Sequence, residues 1–454
     1  METIFKIIRL SSIALCISVI CLSSCQSNNN ELPITETEPK TPVEEVKPPV
    51  PIEEEPLDIP FIRRENIDLT VTEQQISGQA NTFAFHLLKK VYADKEEKDK
   101  NILLSPLNAT LAFCMVNNGA AGATGEEIRQ TLGFGDVSSE DINIYAQKMV
   151  NAMQTLDLRG KFESANSIWI KNDFPVLEAF KKVNQQYYDA EIQNVDFTLP
   201  VTIQTINNWI SEKTHEKIKE MLKEINPLTR LILCNTLYFK GYWTFPFDKK
   251  STTDLAFQTS TGNTQMTPTM RQTLRTSLYT KLTNCSVLEL AFGNGAFSLV
   301  VVLPDENSDI PAVLEQVDGN WWTQVISGLE GPPYLNEVKI EIPRFKLEYE
   351  RTLNDDLQAL GMKTPFIEWS ADFSLINNRD SLFISLVKQK TFAEMNEKGL
   401  EAAAATAIML DATCGVDEPV YTPVDFKVNR PFLYFIKEKS TSLVFFAGIM
   451  NSIH

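Results

Sequence analysis

Three histidines are the whole imidazole supply of this 454-residue chain: His86, His215 and His454. Hydrolysis by a side-chain nucleophile needs the nucleophile, a base beside it and a group that orients the base. The chain holds no GxSxG turn, no HExxH helix and no phosphate-cradling GK(S/T) loop. His215-Glu216 is followed by Lys219 where a second zinc-binding histidine would stand, so the pair reads as solvated helix surface. Cys114, Cys234 and Cys285 lie in apolar runs without paired spacing and read as buried free thiols, although export would permit a disulfide. Trp209, Trp321 and Trp322 read as packing residues. The chain is not read as an enzyme, and neither a cofactor nor a metal site is expected.

The chemistry lies in a stretch that would be acted upon. Residues 397–413 read EKGLEAAAATAIMLDAT. Four consecutive alanines favour helix, but long apolar strands are predicted on either side, over 382–395 and 431–436. About thirty residues lie between them without an amphipathic period, and loops that long in a compact domain are usually functional or disordered. Read with period two, Leu400, Ala402, Ala404, Thr406, Ile408 and Leu410 share one face. Glu401, Ala403, Ala405, Ala407, Met409 and Asp411 share the other. The first face is small and apolar enough to slide between two existing strands, so the segment reads as a strand held in reserve. Cys414 follows it, either as a tolerated small residue or as a redox-sensitive thiol.

The rest of the chain must hold that stretch out and receive it. Hydrophobic residues make up 43%, enough for a sizeable core, and the formal net charge of −17 argues against nucleic acid or an anionic membrane surface as partner. Lys6 and Arg9 precede a mostly apolar run over 10–22, too short and wrongly flanked to span a bilayer and suited to an export signal. Leu22-Ser23-Ser24-Cys25 resembles the lipobox of bacterial lipoproteins. That resemblance implies cleavage before Cys25 and a lipid on its thiol; an ordinary cleaved signal with an incidental cysteine is the alternative. From Gln26 to Pro60 the chain carries eight prolines and nine acidic residues, with few large apolar ones. Such a segment cannot bury enough surface to offset its ordering entropy. It reads as a tether of roughly 100 Å at about 3.1 Å per residue. Three parts follow: a signal over 1–24, a lipidated Cys25 with its tether over 25–65, and a folded body over 66–454.

Within the body, residues 76–91 place apolar side chains at helical spacing, and 107–118 is apolar enough for a buried helix. Thr124 and Glu127 suit a capping box, and Ser138 suits the start of a helix running to Met153. A further helix is predicted over 203–222. Strands are predicted over 164–171, 231–239, 286–292, 297–303, 338–347, 382–395, 432–436 and 442–449. Helices crowd the first half and strands the second, which makes the class α+β.

The EKGLEAAAATA run, with Thr391-Phe-Ala-Glu-Met-Asn before it, resembles the hinge of the serpins. So do Asn101-Ile-Leu-Leu-Ser-Pro-Leu-Asn108, the segment 233–247 with Asn235 and Trp243, Ile342-Pro-Arg-Phe-Lys346, Leu360-Gly-Met362, Ala371-Asp-Phe-Ser374 and Asn429-Arg-Pro-Phe432. Each match is short, but together they run in order along the body. The resemblance implies helices packed around three β-sheets with a long exposed reactive-centre loop. It implies an irreversible, suicide-substrate inhibitor whose loop is cleaved and then enters the main sheet, in covalent complex with a serine or cysteine protease. The hinge would be Glu397, Gly399, Leu400, Glu401, Ala402, Ala403, Ala404, Ala405 and Thr406. Ser105, Pro106, Asn108, Asn235, Trp243 and Gln389 would lie where the sheet opens. Counting along the loop places the scissile bond at Thr413-Cys414, within a range of Met409 to Val416.

Three departures stand out: Leu400 in place of the usual Thr or Ser, Asn108 in place of Ser, and Gln389 in place of His. Leu400 is expected to slow insertion rather than prevent it. No Lys or Arg lies between Lys398 and Lys427, so elastase-like, subtilisin-like or papain-like enzymes fit better than trypsin-like ones. The expected protein is a monomer, exported and lipid-anchored to a bacterial membrane, most naturally the outer membrane facing the surface or the periplasm. A non-inhibitory binding or adhesion module of the same fold is the alternative.

Overall fold

Two fourteen-residue strands, rich in apolar and β-branched residues, frame the protein, and the other elements pack around them. The computed structural model describes residues 14–23, 62–276, 278–330, 336–400 and 421–453. Its helices are α1 (Val71–Tyr92), α2 (Pro106–Asn117), α3 (Gly122–Thr131), α4 (Ser139–Thr155), α5 (Glu178–Tyr188), α6 (Pro200–Lys213), α7 (Ile310–Gln316), α8 (Gly319–Leu329) and α9 (Asn354–Ala359). Its strands begin with β1 (Ala14–Ser23), β2 (Ile102–Leu104), β3 (Lys161–Lys171), β4 (Glu191–Val195), β5 (Thr229–Tyr242), β6 (Thr253–Gln258), β7 (Thr264–Thr276) and β8 (Tyr279–Leu282). They continue with β9 (Cys285–Phe292), β10 (Phe297–Pro304), β11 (Asn336–Pro343), β12 (Phe345–Thr352), β13 (Phe383–Asn396), β14 (Gly399–Leu400), β15 (Thr422–Lys427), β16 (Phe432–Glu438) and β17 (Val444–Met450).

Three sheets form, as the serpin resemblance implies, and the class is α+β. In the main sheet β12 pairs with β13, and β5, β3 and β4 follow across a strand-wide place held by β14 and β1. The second sheet runs β2-β17-β16-β10-β9-β8 and the third β15-β11-β7-β6. One large core joins the main sheet, the second sheet and helices α1, α2 and α4. A smaller core lies on the opposite face of the main sheet, under α6.

Several expectations change. The helix predicted over 203–222 stops at Lys213, because His215 and Glu216 take left-handed φ of 47° and 62°. The apolar pattern continues through Ile218, Met221 and Leu222, but these side chains are buried on irregular chain. Asn207 replaces the helical ladder there: its Oδ1 accepts from the N–H groups of Met221 and Leu222. The strand predicted over 338–347 is two, β11 in the third sheet and β12 in the main sheet. At the junction the Arg344 N–H donates to Pro268 O. The capping box predicted at Thr124 is absent; Thr124 Oγ1 accepts from Asp372 N, and Glu127 binds Lys363 and Thr364. A capping box does form at Thr70 and Glu73, at the start of α1. The run read as an export signal contributes residues 14–23 to the main sheet as β1, antiparallel to both β5 and β13.

Candidate functional site at the parting of the main sheet

β13 ends at Asn396, the chain turns, and Gly399–Leu400 re-enters the sheet antiparallel to both β13 and β5. Leu400 stands opposite Met395 and Gly241 and is 1% exposed, so the first residue of the predicted insertion is already in place. The turn requires glycine: Gly399 has φ +146°, and a Cβ there would come within 2.1 Å of the Gly241 carbonyl oxygen. Glu397 ties the turn down. Arg344 Nε donates to Glu397 Oε1 at 2.8 Å, and Arg344 Nη2 and Thr252 Oγ1 donate to the same oxygen. Burial works against the carboxylate charge, but the donors outweigh it and hold the carboxyl below its ordinary value. Trp243 completes this end, its Nε1 donating to Asn396 O and its backbone N–H to Lys398 O, both at 2.9 Å.

Farther along the same gap, Ser105, Pro106, Asn108, Asn235 and Gln389 come together, while Trp243 stands at the entry end. Pro106 is the first residue of α2, a position where its missing N–H does no harm. Ser105 caps that helix, accepting from Asn108 N at 3.4 Å and donating to Phe445 O at 2.8 Å. Gln389 Oε1 accepts from Ser105 N at 3.0 Å, while its Nε2 donates to Ser105 O at 3.0 Å and to Ser18 Oγ at 3.2 Å. Asn108 Nδ2 donates to Asn235 O at 3.2 Å, and Asn235 Nδ2 donates to Asn166 Oδ1. Every member is buried and neutral, and each amide carries both donors and acceptors. Such a group can trade partners when a strand moves without uncovering a charge.

Helix α6 lies over the other face of the gap. Its Ile206, Trp209 and Ile210 pack in one cluster with Cys21, Cys234, Tyr238 and Phe392 from β1, β5 and β13. The turn after α6 is fastened to the sheet. His215 stacks on Tyr238 with ring centroids 4.2 Å apart, and its Nε2 lies 2.5 Å from Glu163 Oε2 on β3. His215 is therefore a half-exposed turn residue with a carboxylate partner, and not solvated helix surface. Cys114, Cys234 and Cys285 are buried and unpaired, as expected, and Cys21 joins them. Burial pushes the thiols of Cys21 and Cys114 up to about 12 and that of Cys285 to about 11, which keeps them protonated. Among the described residues no cluster of His, Cys, Asp and Glu could hold a metal ion.

Several predicted positions lie outside the described residues: Glu401, Ala402, Ala403, Ala404, Ala405, Thr406, the bond Thr413-Cys414 with its range Met409 to Val416, and Cys25. Sequence reasoning missed Arg344, Thr252, Asn166 and Ser18. Arg344 stands inside a motif already noted, but nothing in that motif pairs it with Glu397. No pattern marked Asn166.

Residues 78–453 match the family model described as Serpin (serine protease inhibitor). Serpin B8 of Bos taurus is 32% identical over 380 residues, covering 82% of this chain and 97% of its own length. An uncharacterized serpin-like protein of Methanosarcina acetivorans is 30% identical over 388 residues, covering 84% of this chain and 87% of its own. Among solved structures, the thermophilic serpin tengpin in its native state superposes with a TM-score of 0.73 at 30% identity, covering 86% of this chain and all of its own. With its three sheets, its helices and the family model spanning the body, this chain belongs to the serpin family and is not an enzyme.

Proposed function

We propose that this chain is an irreversible, suicide-substrate inhibitor of serine and cysteine proteases, exported and held at a bacterial membrane by a lipid on Cys25. The observation that carries the reading is a match of length. β5 and β13 are each fourteen residues long, and Leu400 to Thr413 is also fourteen residues. At about 3.3 Å per residue such a strand spans roughly 50 Å, the whole length of the gap. Leu400 has already taken the first position between the two walls.

In this reading the protease's serine Oγ or cysteine Sγ attacks the carbonyl carbon of Thr413. A bond to that carbon forms, the Thr413–Cys414 C–N bond breaks, and the leaving amine of Cys414 takes the proton relayed by the protease's base. The freed segment then continues from Leu400 into the gap. It gains two ladders of backbone hydrogen bonds and buries Ile408 and Leu410, together worth on the order of 4 kcal/mol of apolar transfer. The acyl-linked protease is carried along before water can release it. With no basic residue between Lys398 and Lys427, the loop suits proteases that take small or aliphatic side chains.

Incubation of the processed protein with an elastase-like protease should give an SDS-resistant complex and a released peptide beginning at or near Cys414. A trypsin-like protease should give none from this loop. A trypsin complex formed there would refute the preference, and loop cleavage without any complex would favour the non-inhibitory alternative. Metabolic labelling with palmitate should mark the chain and vanish in Cys25→Ser; labelling that persists would remove the anchor from the reading.

A further inference from the structure

The gap in the main sheet is occupied, and the occupant matches the bait. β14 sets the register: Leu400 faces Gly241 on β5 and Met395 on β13. Counting on, Ala402 would face Phe239, Thr406 would face Asn235 and Gln389, Ile408 would face Leu233, and Leu410 would face Leu231. β1 holds those places now. Ala14 faces Phe239, Ser18 faces Asn235 and Gln389, Ile20 faces Leu233, and Leu22 faces Leu231.

Position by position, Ala14, Cys16, Ser18, Ile20 and Leu22 stand where Ala402, Ala404, Thr406, Ile408 and Leu410 would stand. Three of the five are identical, one exchanges a hydroxyl for a hydroxyl, and one exchanges a small residue for a small residue. The hydroxyl is used: Gln389 Nε2 donates to Ser18 Oγ at 3.2 Å, and both side chains are buried. Ile20 is 0% exposed in the main core, and Cys21 lies in the cluster beneath α6. At the alternate positions Leu15, Ile17 and Val19 are bulkier than Ala403, Ala405 and Ala407, and Cys21 is smaller than Met409. A chain with β1 in the gap has no place for the loop.

We propose that Ala14–Ser23 is a built-in substitute for the reactive loop, which keeps the unprocessed chain closed and non-inhibitory. Cleavage before Cys25 separates this strand from the body, so the gap becomes available only after the protein is processed. The same ten residues can lie in a membrane or in the sheet, but not in both. The consequence for inhibition rests on the function proposed above; the occupancy does not.

The test uses the full chain carrying Cys25→Ser, compared with the same chain carrying Ile20→Glu or, separately, Ser18→Glu. Each added carboxylate would be buried without a partner if β1 stayed in place. Neither lies in the segment matched to the family, which begins at residue 78. Three readouts are taken: alkylation of Cys21 followed by mass spectrometry, binding of a fluorescent peptide EAAAATAIML (residues 401–410), and complex formation with elastase.

In the parent chain Cys21 should react at least tenfold more slowly than in either variant, the peptide should fail to bind, and elastase should cut the loop and leave active. Both variants should bind the peptide and trap elastase. Equal Cys21 reactivity and equal peptide binding in all three chains would overturn the inference. Differences in those two readouts with no elastase complex from any chain would retain the occupancy and refute the inhibitory function instead.

Discussion

The entry and the middle of the gap are held by different chemistry. At the entry, a carboxylate and a guanidinium fasten the turn: Glu397 takes hydrogen bonds from Arg344 and Thr252. In the middle, the ties among Ser105, Asn108, Asn235 and Gln389 are neutral amides and a hydroxyl, all buried. A charge pair suits a place that stays put, because separating buried partners leaves a charge uncompensated. Neutral amides suit a place where strands change neighbours, because each retains donors and acceptors for the next partner. In the proposed insertion the entry is therefore the fixed point about which the loop would swing, and the middle the part that would yield.

Three substitutions test this division, from the largest expected effect to the smallest. Ala402→Glu would put a carboxylate just past the fixed point, in the position facing the main core. It should convert the processed inhibitor into a plain substrate, with SDS-resistant complex falling at least a hundredfold while loop cleavage continues; unchanged complex formation would refute insertion. Gln389→Leu strips the middle. It leaves the buried Ser105 N–H without its acceptor, and each such orphan costs about 1–3 kcal/mol, so thermal denaturation should show a lowered Tm by about the same amount from pH 4 to 8. A strong pH dependence of that loss would contradict a neutral middle.

Arg344→Ala removes the pair at the entry and should cost about 2 kcal/mol at neutral pH. Here the pH dependence has a definite sign. Glu397 is held below its ordinary 4.5 in the folded chain, so its contribution is complete above about 4.5 and fades as pH falls through the lowered value. The difference in Tm between parent and variant should shrink on acidification below about pH 4.5. A difference that grows there would place the charge elsewhere.

Much of this arrangement was legible from residues alone, for identifiable reasons. Period-two alternation marked the loop as a potential strand, and Leu400 is found paired where that pattern begins. Long apolar runs marked β5 and β13, the walls that would receive it in the proposed insertion. Two misreadings arose where an element ends inside an apolar stretch. Ile218, Met221 and Leu222 continue the spacing of α6, yet the left-handed residues His215 and Glu216 end the helix, and Asn207 takes the N–H groups of Met221 and Leu222, neither of which periodicity can register. The alternation over 338–347 shifts phase at Arg344, from Val338, Ile340 and Ile342 to Phe345 and Leu347, where the chain passes from one sheet to another, and a single strand was read across that slip. The N-terminal run was read from its hydropathy, which suits a membrane and a sheet interior alike. Only the register on Asn235 and Gln389 reveals its likeness to the loop.

Gly399 bears on how this protein could diversify or be redesigned. Its backbone passes so close to Gly241 and Tyr242 that no side chain fits. In the proposed insertion, every residue after it would be placed by counting from that fixed origin. Residues near 413 can be exchanged to present the bait to a new target while the origin stays untouched, so specificity and timing are separately adjustable. An insertion or deletion between Gly399 and the cut would shift both at once, and point changes are the safer route to a retargeted molecule.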